Sequence, residues 1–101
     1  MQRYSIITDK LEECYVCKTT HNIHKHEIFF GTGKRQLSIK YGLVVPLCGR
    51  HHNLSNAGVH FDSMLNEKLH KIGQEKAMKH YEWTTKDFIK IFGRNYLWSL
   101  K

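Results

Sequence analysis

The three cysteines of the chain lie in two short segments that have the spacing of metal ligands. Cys14 and Cys17 are separated by two residues. Cys48 and His51 have the same separation. A turn of this length directs both of its side chains toward one point, and two such turns supply the four ligands that a tetrahedral Zn²⁺ ion requires. The spacing therefore predicts a structural zinc site, with His52 as the alternative to His51 for the fourth ligand.

The length and the cysteine count favour metal binding over disulfide formation. The chain has 101 residues, enough for one small domain whose thin apolar core needs additional support. Three cysteines are an odd number and do not fit a disulfide framework. No apolar run approaches the ~20 residues of a membrane span, and the first residues lack the apolar stretch of a secretory signal. We therefore expect an intracellular protein whose fold is stabilised by a metal.

The charge of the chain indicates a polyanionic partner. The 16 Lys and Arg residues outnumber the 9 Asp and Glu residues, which gives a net charge of +7. Such a balance suits nucleic acid first and an acidic membrane surface second. The apolar fraction of 41% is typical of a folded protein and excludes disorder throughout the chain.

Hydrophobic patterning predicts two strands before the second cysteine segment. Alternating residues over 22–30 predict the first strand, and the apolar run 43–47 predicts a second strand that ends at Cys48. Residues 3–8 alternate loosely and predict a further short strand or an extended arm. The stretch from 31 to 42 contains glycines and basic residues and is interpreted as a loop.

Two helices are predicted in the second half of the chain. The first has Asp62 or Ser63 as its candidate N-cap. Apolar residues at helical spacing form one face of this helix: Met64, Leu65, Leu69, Ile72 and Ala77. The second helix begins at Thr84, which has the spacing of a capping box with Asp87, and it ends at Gly93.

The histidines exceed the number that a zinc site needs. His24 and His26 are two residues apart on the first predicted strand, so they face the same side, while Glu27 faces the other. His26, His52 and His60 flank the predicted zinc site, which favours a functional role for these three. Solvated surface positions are predicted for three others: His21, His70 and His80.

The order of these motifs resembles that of one family of nucleases. The segments that carry the resemblance are Cys14–Cys17, His26–Gly31, Leu43–His52, Gly58–Phe61 and Ile91–Leu97. They are similar to segments of the HNH endonucleases of the His-Me finger (ββα-metal) class, and most of all to the small zinc-containing HNH proteins of phage and prophage. The resemblance covers about residues 14–97.

The resemblance implies a ββα-metal core in which a hairpin and a helix hold one divalent ion, commonly Mg²⁺ or Mn²⁺. It places His26 at the general base and His52 at the helix-side ion ligand, with His60 as a second ligand candidate. Glu27 could give a carboxylate to the ion, or a register shifted by one residue would make Glu27 the base and His26 the ligand. Gly42 stands where the family has an asparagine that braces the loop, so another group must hold that loop.

DNA is the partner that the resemblance implies, cleaved in the cytoplasm of a bacterial host to leave 5′-phosphate and 3′-hydroxyl ends. Five basic residues are candidate phosphate contacts: Lys25, Lys34, Arg35, Lys40 and Arg50. Phosphate contacts carry no sequence information, so we expect a weak sequence preference. The alternative to DNA binding is that the basic residues between the strands belong to a solvated loop and only keep the protein in solution. The sequence does not indicate whether the protein is a monomer or an oligomer.

A binding protein is the alternative to an enzyme. A non-catalytic nucleic-acid-binding module of phage recombination or packaging, stabilised by zinc, would need the four zinc ligands and the basic residues. It would not need the additional histidines beside them, so the surplus of histidines favours the enzyme. In both cases the prediction is a single α+β domain over 1–101, with a core over about 14–81 and a C-terminal helical extension over about 84–101.

Overall fold

The computed structural model describes residues 4–31, 33–54 and 63–97. These residues form a small α+β structure with one two-stranded sheet, as the sequence predicts. The elements follow in the order β1 (Ile23–Glu27), α1 (Lys34–Tyr41), β2 (Val44–Cys48), a π-helical turn (Arg50–Leu54), α2 (Ser63–Tyr81) and α3 (Thr85–Phe92). None of the helices in the described ranges has the length and apolar character needed to cross a bilayer.

The two strands pair antiparallel, and their register brings the start of β1 to the second cysteine segment. Ile23 lies opposite Cys48, and Glu27 lies opposite Val44. Every residue of β2 is buried, which explains why this strand is a continuous apolar run without alternation. Strand β1 ends at Glu27, so it is shorter than the predicted strand over 22–30.

The prediction of a loop between the two strands is wrong, because residues Lys34–Tyr41 form helix α1. This helix begins after Gly33 and ends at Gly42, both in the left-handed region with φ of 81° and 74°. Glycine adopts such angles without steric cost, so the two residues that suggest a loop are the boundaries of a short helix. The buried residues of α1 are Ser38 and Ile39, and a single buried apolar side chain in a helix of eight residues gives no periodicity to detect.

The sequence pattern of residues 3–8 predicts a short strand or an extended arm, and residues 4–8 form no strand. The segment nevertheless packs against the end of α1. The Ile6 amide donates to the Gly42 carbonyl oxygen at 2.9 Å, and the Tyr4 hydroxyl donates to the Lys40 carbonyl oxygen. The segment bends at Ile6 and Ile7, where the Ser5 hydroxyl accepts from the Ile7 amide at 3.0 Å, so it is not an extended arm either.

Helix α2 crosses the residues that follow β1, and a glycine permits the close approach. Gly73 is buried in the interior of α2, where a Cβ would lie 3.1 Å from the Phe29 ring and 3.2 Å from Ile28. The helix continues through Gly73, and a larger residue here would have to displace these two side chains by a few tenths of an ångström. The candidate cap Asp62 lies outside the described residues, and Ser63 is already the first residue of α2.

Helix α3 completes the core around Phe29. The capping box of Thr84 and Asp87 is present, and Gly93 ends the helix, as predicted. Phe88 and Phe92 are buried, and their rings lie 5.6 and 4.9 Å from that of Phe29. Tyr96 packs against the same ring at 4.9 Å, so the segment after α3 returns to the body.

Two predictions about α2 are wrong. The helical pattern places Met64 on the apolar face, but 79% of this residue is exposed. A solvated position is predicted for His70, but this residue is half-buried and stacks on Phe29 with the ring centroids 5.1 Å apart. His21 and His80 are exposed, as predicted.

Candidate metal centre and histidine cluster

Backbone hydrogen bonds bring the two cysteine segments together. The Tyr15 amide donates to the carbonyl oxygen of Pro46 at 2.8 Å, which attaches the first segment to the outer side of β2. Within that segment, the Lys18 amide donates to the Cys14 carbonyl oxygen at 2.9 Å and closes a tight turn. Cys48 is the last residue of β2, and the π-helical turn then places the side chain of His51 back over it.

Four side chains converge at this point: Cys14, Cys17, Cys48 and His51. Their ligand atoms all lie within 4.8 Å of one another. The Sγ atoms of Cys17 and Cys48 are 3.7 Å apart, and His51 Nδ1 lies 3.3 Å from the Sγ of Cys48 and 3.8 Å from that of Cys14.

These distances fit a tetrahedral metal site. Ideal zinc bonds of about 2.3 Å to sulfur and 2.0–2.1 Å to nitrogen place two sulfurs about 3.8 Å apart and a sulfur and a nitrogen about 3.6 Å apart. The group could therefore bind a metal ion such as zinc. In the described residues His51, and not His52, is the histidine that joins the three sulfurs.

The two buried thiols of the group have pKa values shifted in opposite directions. Burial alone would raise the pKa of the Cys14 thiol, but the backbone amides of Cys17, Cys48 and Val16 stabilise its thiolate and lower the pKa to about 6. Burial raises the pKa of Cys48, and the neighbouring thiols add to that effect. Since the thiolate is the form that binds a metal, amide donors at Cys14 favour ligation.

A second cluster consists of three histidines next to the first group. His24 and His26 share one face of β1, as predicted, and both rings meet that of His52. The ring centroids are 5.0 Å apart for His24 and His52, and 5.2 Å apart for His26 and His52. His26 is only 2% exposed, and its ring also lies 5.6 Å from that of Phe30. The cluster thus combines a strand and the turn that carries the zinc ligand candidate His51.

Glu27 is held from the side of α1. Its Oε1 atom accepts a hydrogen bond from Nη1 of Arg35 at 3.0 Å, and the two side chains form an ion pair. The carboxylate is buried, while the Arg35 side chain is half-exposed. Helix α1, which the sequence pattern does not predict, therefore positions this acidic residue.

The other basic candidates are distributed over different parts of the surface. Lys25 is exposed on β1, and Arg50 is exposed at the start of the π-helical turn. Lys34 lies beside Gly93 at the end of α3, and Lys40 lies over the Tyr41 ring at 5.3 Å. The positive charges at the two ends of α1 therefore lie beside different parts of the structure, one at the end of α3 and the other at the Tyr41 ring.

The remaining site candidate, His60, lies outside the described residues, together with its motif Gly58–Phe61. Sequence reasoning missed two contributors, His24 and Asn22. His24 Nδ1 lies 2.8 Å from His52 Nδ1, and its Nε2 lies 3.3 Å from Asn22 Oδ1. The alternation of β1 places His24 on the same face as His26, so the sequence pattern could have identified His24 as a member of the cluster. No sequence pattern indicates the contact with Asn22, because it depends on a left-handed backbone at Asn22 with φ 55°.

Comparisons of this chain with protein-family models, curated proteins and solved structures found no match. The resemblance to the HNH endonucleases therefore depends on the quoted motifs alone.

Proposed function

We propose that this protein is a metal-dependent DNA endonuclease of the HNH type, with a ββα-metal core and a structural zinc. The observation that carries the proposal is the contact between His26, buried on β1, and His52, whose rings lie 5.2 Å apart. This pair is adjacent to the group of three cysteines and His51. A zinc ion bound there would fix the pair, because one ligand immediately precedes His52 in the chain.

The histidine pair supports an enzyme because a structural zinc does not require it. A zinc-stabilised binding module needs the four ligands and the basic side chains, but it does not need two further histidines in contact beside them. General base catalysis gives them a role, since an imidazole has its unperturbed pKa near neutral pH and can accept a proton from water there.

In the proposed reaction His26 accepts a proton from a water molecule as that water attacks the phosphorus. The new P–O bond forms while the bond to the 3′ oxygen breaks, which leaves a 5′-phosphate and, after protonation, a 3′-hydroxyl. A divalent ion such as Mg²⁺ or Mn²⁺, held by His52 and His60, would stabilise negative charge on the phosphate and the leaving oxygen. Glu27, held by Arg35, is the candidate for an additional ion ligand or, in the shifted register, for the base.

Basic side chains would bind the phosphates of the DNA on either side of the scissile bond. Of the five residues that the sequence singles out, Lys25 on β1 and Arg50 at the start of the π-helical turn are exposed on the elements that carry the histidines, and they are the leading candidates. Arg35 is paired with Glu27, and Lys34 and Lys40 lie at the two ends of α1. Because such contacts are electrostatic, we expect binding that weakens steeply with salt and has little sequence preference.

A supercoiled plasmid tests the proposal, with Mg²⁺ or Mn²⁺ added to the wild type and to His26→Ala. We expect nicking by the wild type and a loss of about 10²–10⁴-fold in His26→Ala, with duplex binding retained. His80→Ala is the matched control, since His80 is an exposed histidine on α2. Activity that survives in His26→Ala but is lost in Glu27→Ala would assign the base to Glu27 instead.

A second function is favoured by the burial of His26, which is 2% exposed. A general base must reach water, whereas a histidine with a structural role is buried in this way. The second candidate is therefore a zinc-stabilised nucleic-acid-binding module of phage recombination or packaging, without catalysis. Retained DNA binding without any cleavage under the divalent ions above would establish it in place of the nuclease.

A further inference from the structure

A line of aromatic rings connects the histidine cluster with the end of α3. The Phe30 ring lies 5.6 Å from that of His26 and 6.4 Å from that of His70. The His70 ring in turn lies 4.7 Å from the Tyr96 ring, and the guanidinium carbon of Arg94 lies 4.8 Å from the centre of the Tyr96 ring. The rings therefore lead from the proposed general base to a positively charged side chain.

We infer that this surface binds an unpaired DNA strand, with a nucleobase stacked on the Phe30 ring and the adjoining phosphates bound by Arg94 and Lys34. The inference deepens the proposed nuclease and rests on it for the position of the scissile bond. It names the substrate as DNA that has unpaired nucleotides next to that bond. A regular duplex keeps its nucleobases paired and stacked inside the helix, so they cannot reach a ring on the protein.

Lys34 brings a second positive charge to the same place. It is the first residue of α1, and a Cβ at Gly93, the residue before Arg94, would lie 3.9 Å from its Nζ atom. Burial is the main cause of the lowered pKa of His70, and the charges of Arg94 and Lys34 lower it further. The Glu67 carboxylate opposes these two cations with a smaller effect. The balance of the three charges is positive, which suits the phosphates of a DNA strand.

A fully buried glutamine holds the segment that carries Arg94. Gln74 of α2 donates from Nε2 to Asn95 Oδ1 at 2.8 Å and accepts at Oε1 from the Tyr96 amide at 2.7 Å. The same Asn95 oxygen accepts from the Leu97 amide at 3.1 Å. Because the backbone here and the ring beneath the guanidinium are already fixed, Arg94 loses less freedom when it binds a phosphate.

The side chains of this surface match the groups that a single strand offers. Aromatic rings stack on nucleobases of any sequence, and a guanidinium group can bind a phosphate through two hydrogen bonds. Phe30 is half-buried, so part of its side chain faces solvent, and Arg94 is exposed. Since the Phe30 ring also contacts that of His26, a nucleotide stacked there lies next to the residue proposed to activate water.

Packing alone is the alternative explanation of the ring contacts. It accounts for Phe29, whose ring is buried, and for the contact of Tyr96 with that ring. It offers no reason to place Arg94 and Lys34 in one region, because like charges repel each other. A phosphate bound by both cations removes this cost.

DNA binding by the zinc-loaded protein tests the inference, measured by fluorescence anisotropy without added Mg²⁺ or Mn²⁺. One labelled sequence is supplied as a single strand and as a blunt duplex. Phe30→Leu should raise Kd for the single strand by about fivefold or more, since stacking on a ring contributes at least this much per nucleobase. Its Kd for the duplex should stay at the wild-type value. Phe30→Tyr retains a ring and should bind the single strand like the wild type.

The salt dependence of binding tests the phosphate contacts separately. Arg94→Gln and Lys34→Gln should each reduce the slope of log Kd against log salt concentration by about 0.7 for the single strand, the value of one phosphate contact. Lys86→Gln is the matched control, because Lys86 is exposed on α3, and it should retain the wild-type slope.

A photochemical measurement on the wild type does not depend on the variants. A single strand that contains 5-iododeoxyuridine should crosslink to Phe30 on irradiation, as mapped by mass spectrometry of the peptides. The inference is overturned if no crosslink maps to Phe30, if Phe30→Leu binds the single strand as the wild type does, or if Arg94→Gln keeps the full salt dependence.

The outcomes separate this inference from the proposed nuclease. A protein that binds single strands through Phe30 and Arg94 but does not cut DNA retains the binding surface and loses the nuclease. A protein that nicks plasmid, while Phe30→Leu binds single strands as the wild type does, retains the nuclease and loses the binding surface.

Discussion

Ser38 makes two hydrogen bonds to the backbone of Phe29, donating to its carbonyl oxygen at 2.7 Å and accepting from its amide at 2.9 Å. The serine is fully buried on α1, and its own carbonyl oxygen accepts from the Leu43 amide at 2.8 Å. One residue thus ties the end of β1 to the start of β2. The serine therefore braces the connection between the two strands.

Removal of this brace should destabilise the domain. We expect Ser38→Ala to lower the free energy of unfolding by about 1–3 kcal/mol, because it leaves two buried backbone groups without partners. Urea denaturation followed by circular dichroism measures the change. Gln36→Ala is the control, since Gln36 is exposed on the same helix, and equal midpoints for the two variants would contradict the role assigned to Ser38.

Substitution of Cys17, whose side chain is exposed, tests whether the cysteine group binds a metal that stabilises the fold. Without a metal, substitution of an exposed residue changes stability by no more than about 0.5 kcal/mol. With zinc bound, Cys17→Ala removes a ligand and should lower stability by more than about 2 kcal/mol, because metal-binding free energy contributes to folding. Thermal unfolding with and without a chelator measures both effects.

The chelator should unfold the wild type and have little further effect on Cys17→Ala. His21→Ala serves as the control, because His21 is exposed and lies near the same segment. A wild type that unfolds at the same temperature with and without the chelator would show that the fold does not depend on a metal.

The residues that could bind a metal are largely predictable from the sequence, because the geometry within each cysteine segment is local. A two-residue separation directs both side chains of a segment toward one point, so the spacing predicts a group of Cys14, Cys17 and Cys48 with either His51 or His52. The structure shows that His51 is the histidine of this group. The capping box at Thr84 has the same property, because its hydrogen bonds span only three residues. Such features require no knowledge of how distant parts of the chain pack.

The contacts that the sequence does not reveal depend on helix α1 and on tertiary packing. Arg35 reaches Glu27 only because residues 34–41 are helical, and the two glycines at the ends of that helix suggest a loop. His70 is half-buried against Phe29 and Tyr96, which approach it from two other parts of the chain. Periodicity within α2 contains no information about either ring.

Gly42 should not tolerate a side chain, for two separable reasons. Its φ of 74° strains any other residue, and a Cβ there would lie 2.5 Å from a ring carbon of Tyr4. Gly33 has a similar φ of 81°, but a Cβ would have open space around it among the described residues. We expect Gly33→Ala to cost about 1–2 kcal/mol from the backbone alone, and Gly42→Ala to cost more.

The double variant Tyr4→Ala/Gly42→Ala isolates the steric part of this difference. If the clash with the ring causes the additional loss, the second substitution should be less damaging in the Tyr4→Ala background than in the wild type. Chemical denaturation of the four proteins completes the cycle. Additive losses would show that Tyr4 moves aside and that only the backbone angle matters.

His70 should make the stability of the domain depend on pH. Burial against Phe29 lowers the pKa of His70 below its usual value of 6.5, and the positive charges of Arg94 and Lys34 lower it further, against the opposing effect of a hydrogen bond to Ile28. The unfolded chain therefore takes up the proton first as the pH falls through 6.5, so stability decreases with acidification and increases with pH in this range. Denaturant midpoints between pH 8 and pH 5 should fall less steeply for His70→Gln than for the wild type. His80→Gln, an exposed control on the same helix, should follow the wild type, and parallel curves for all three proteins would remove His70 as the cause.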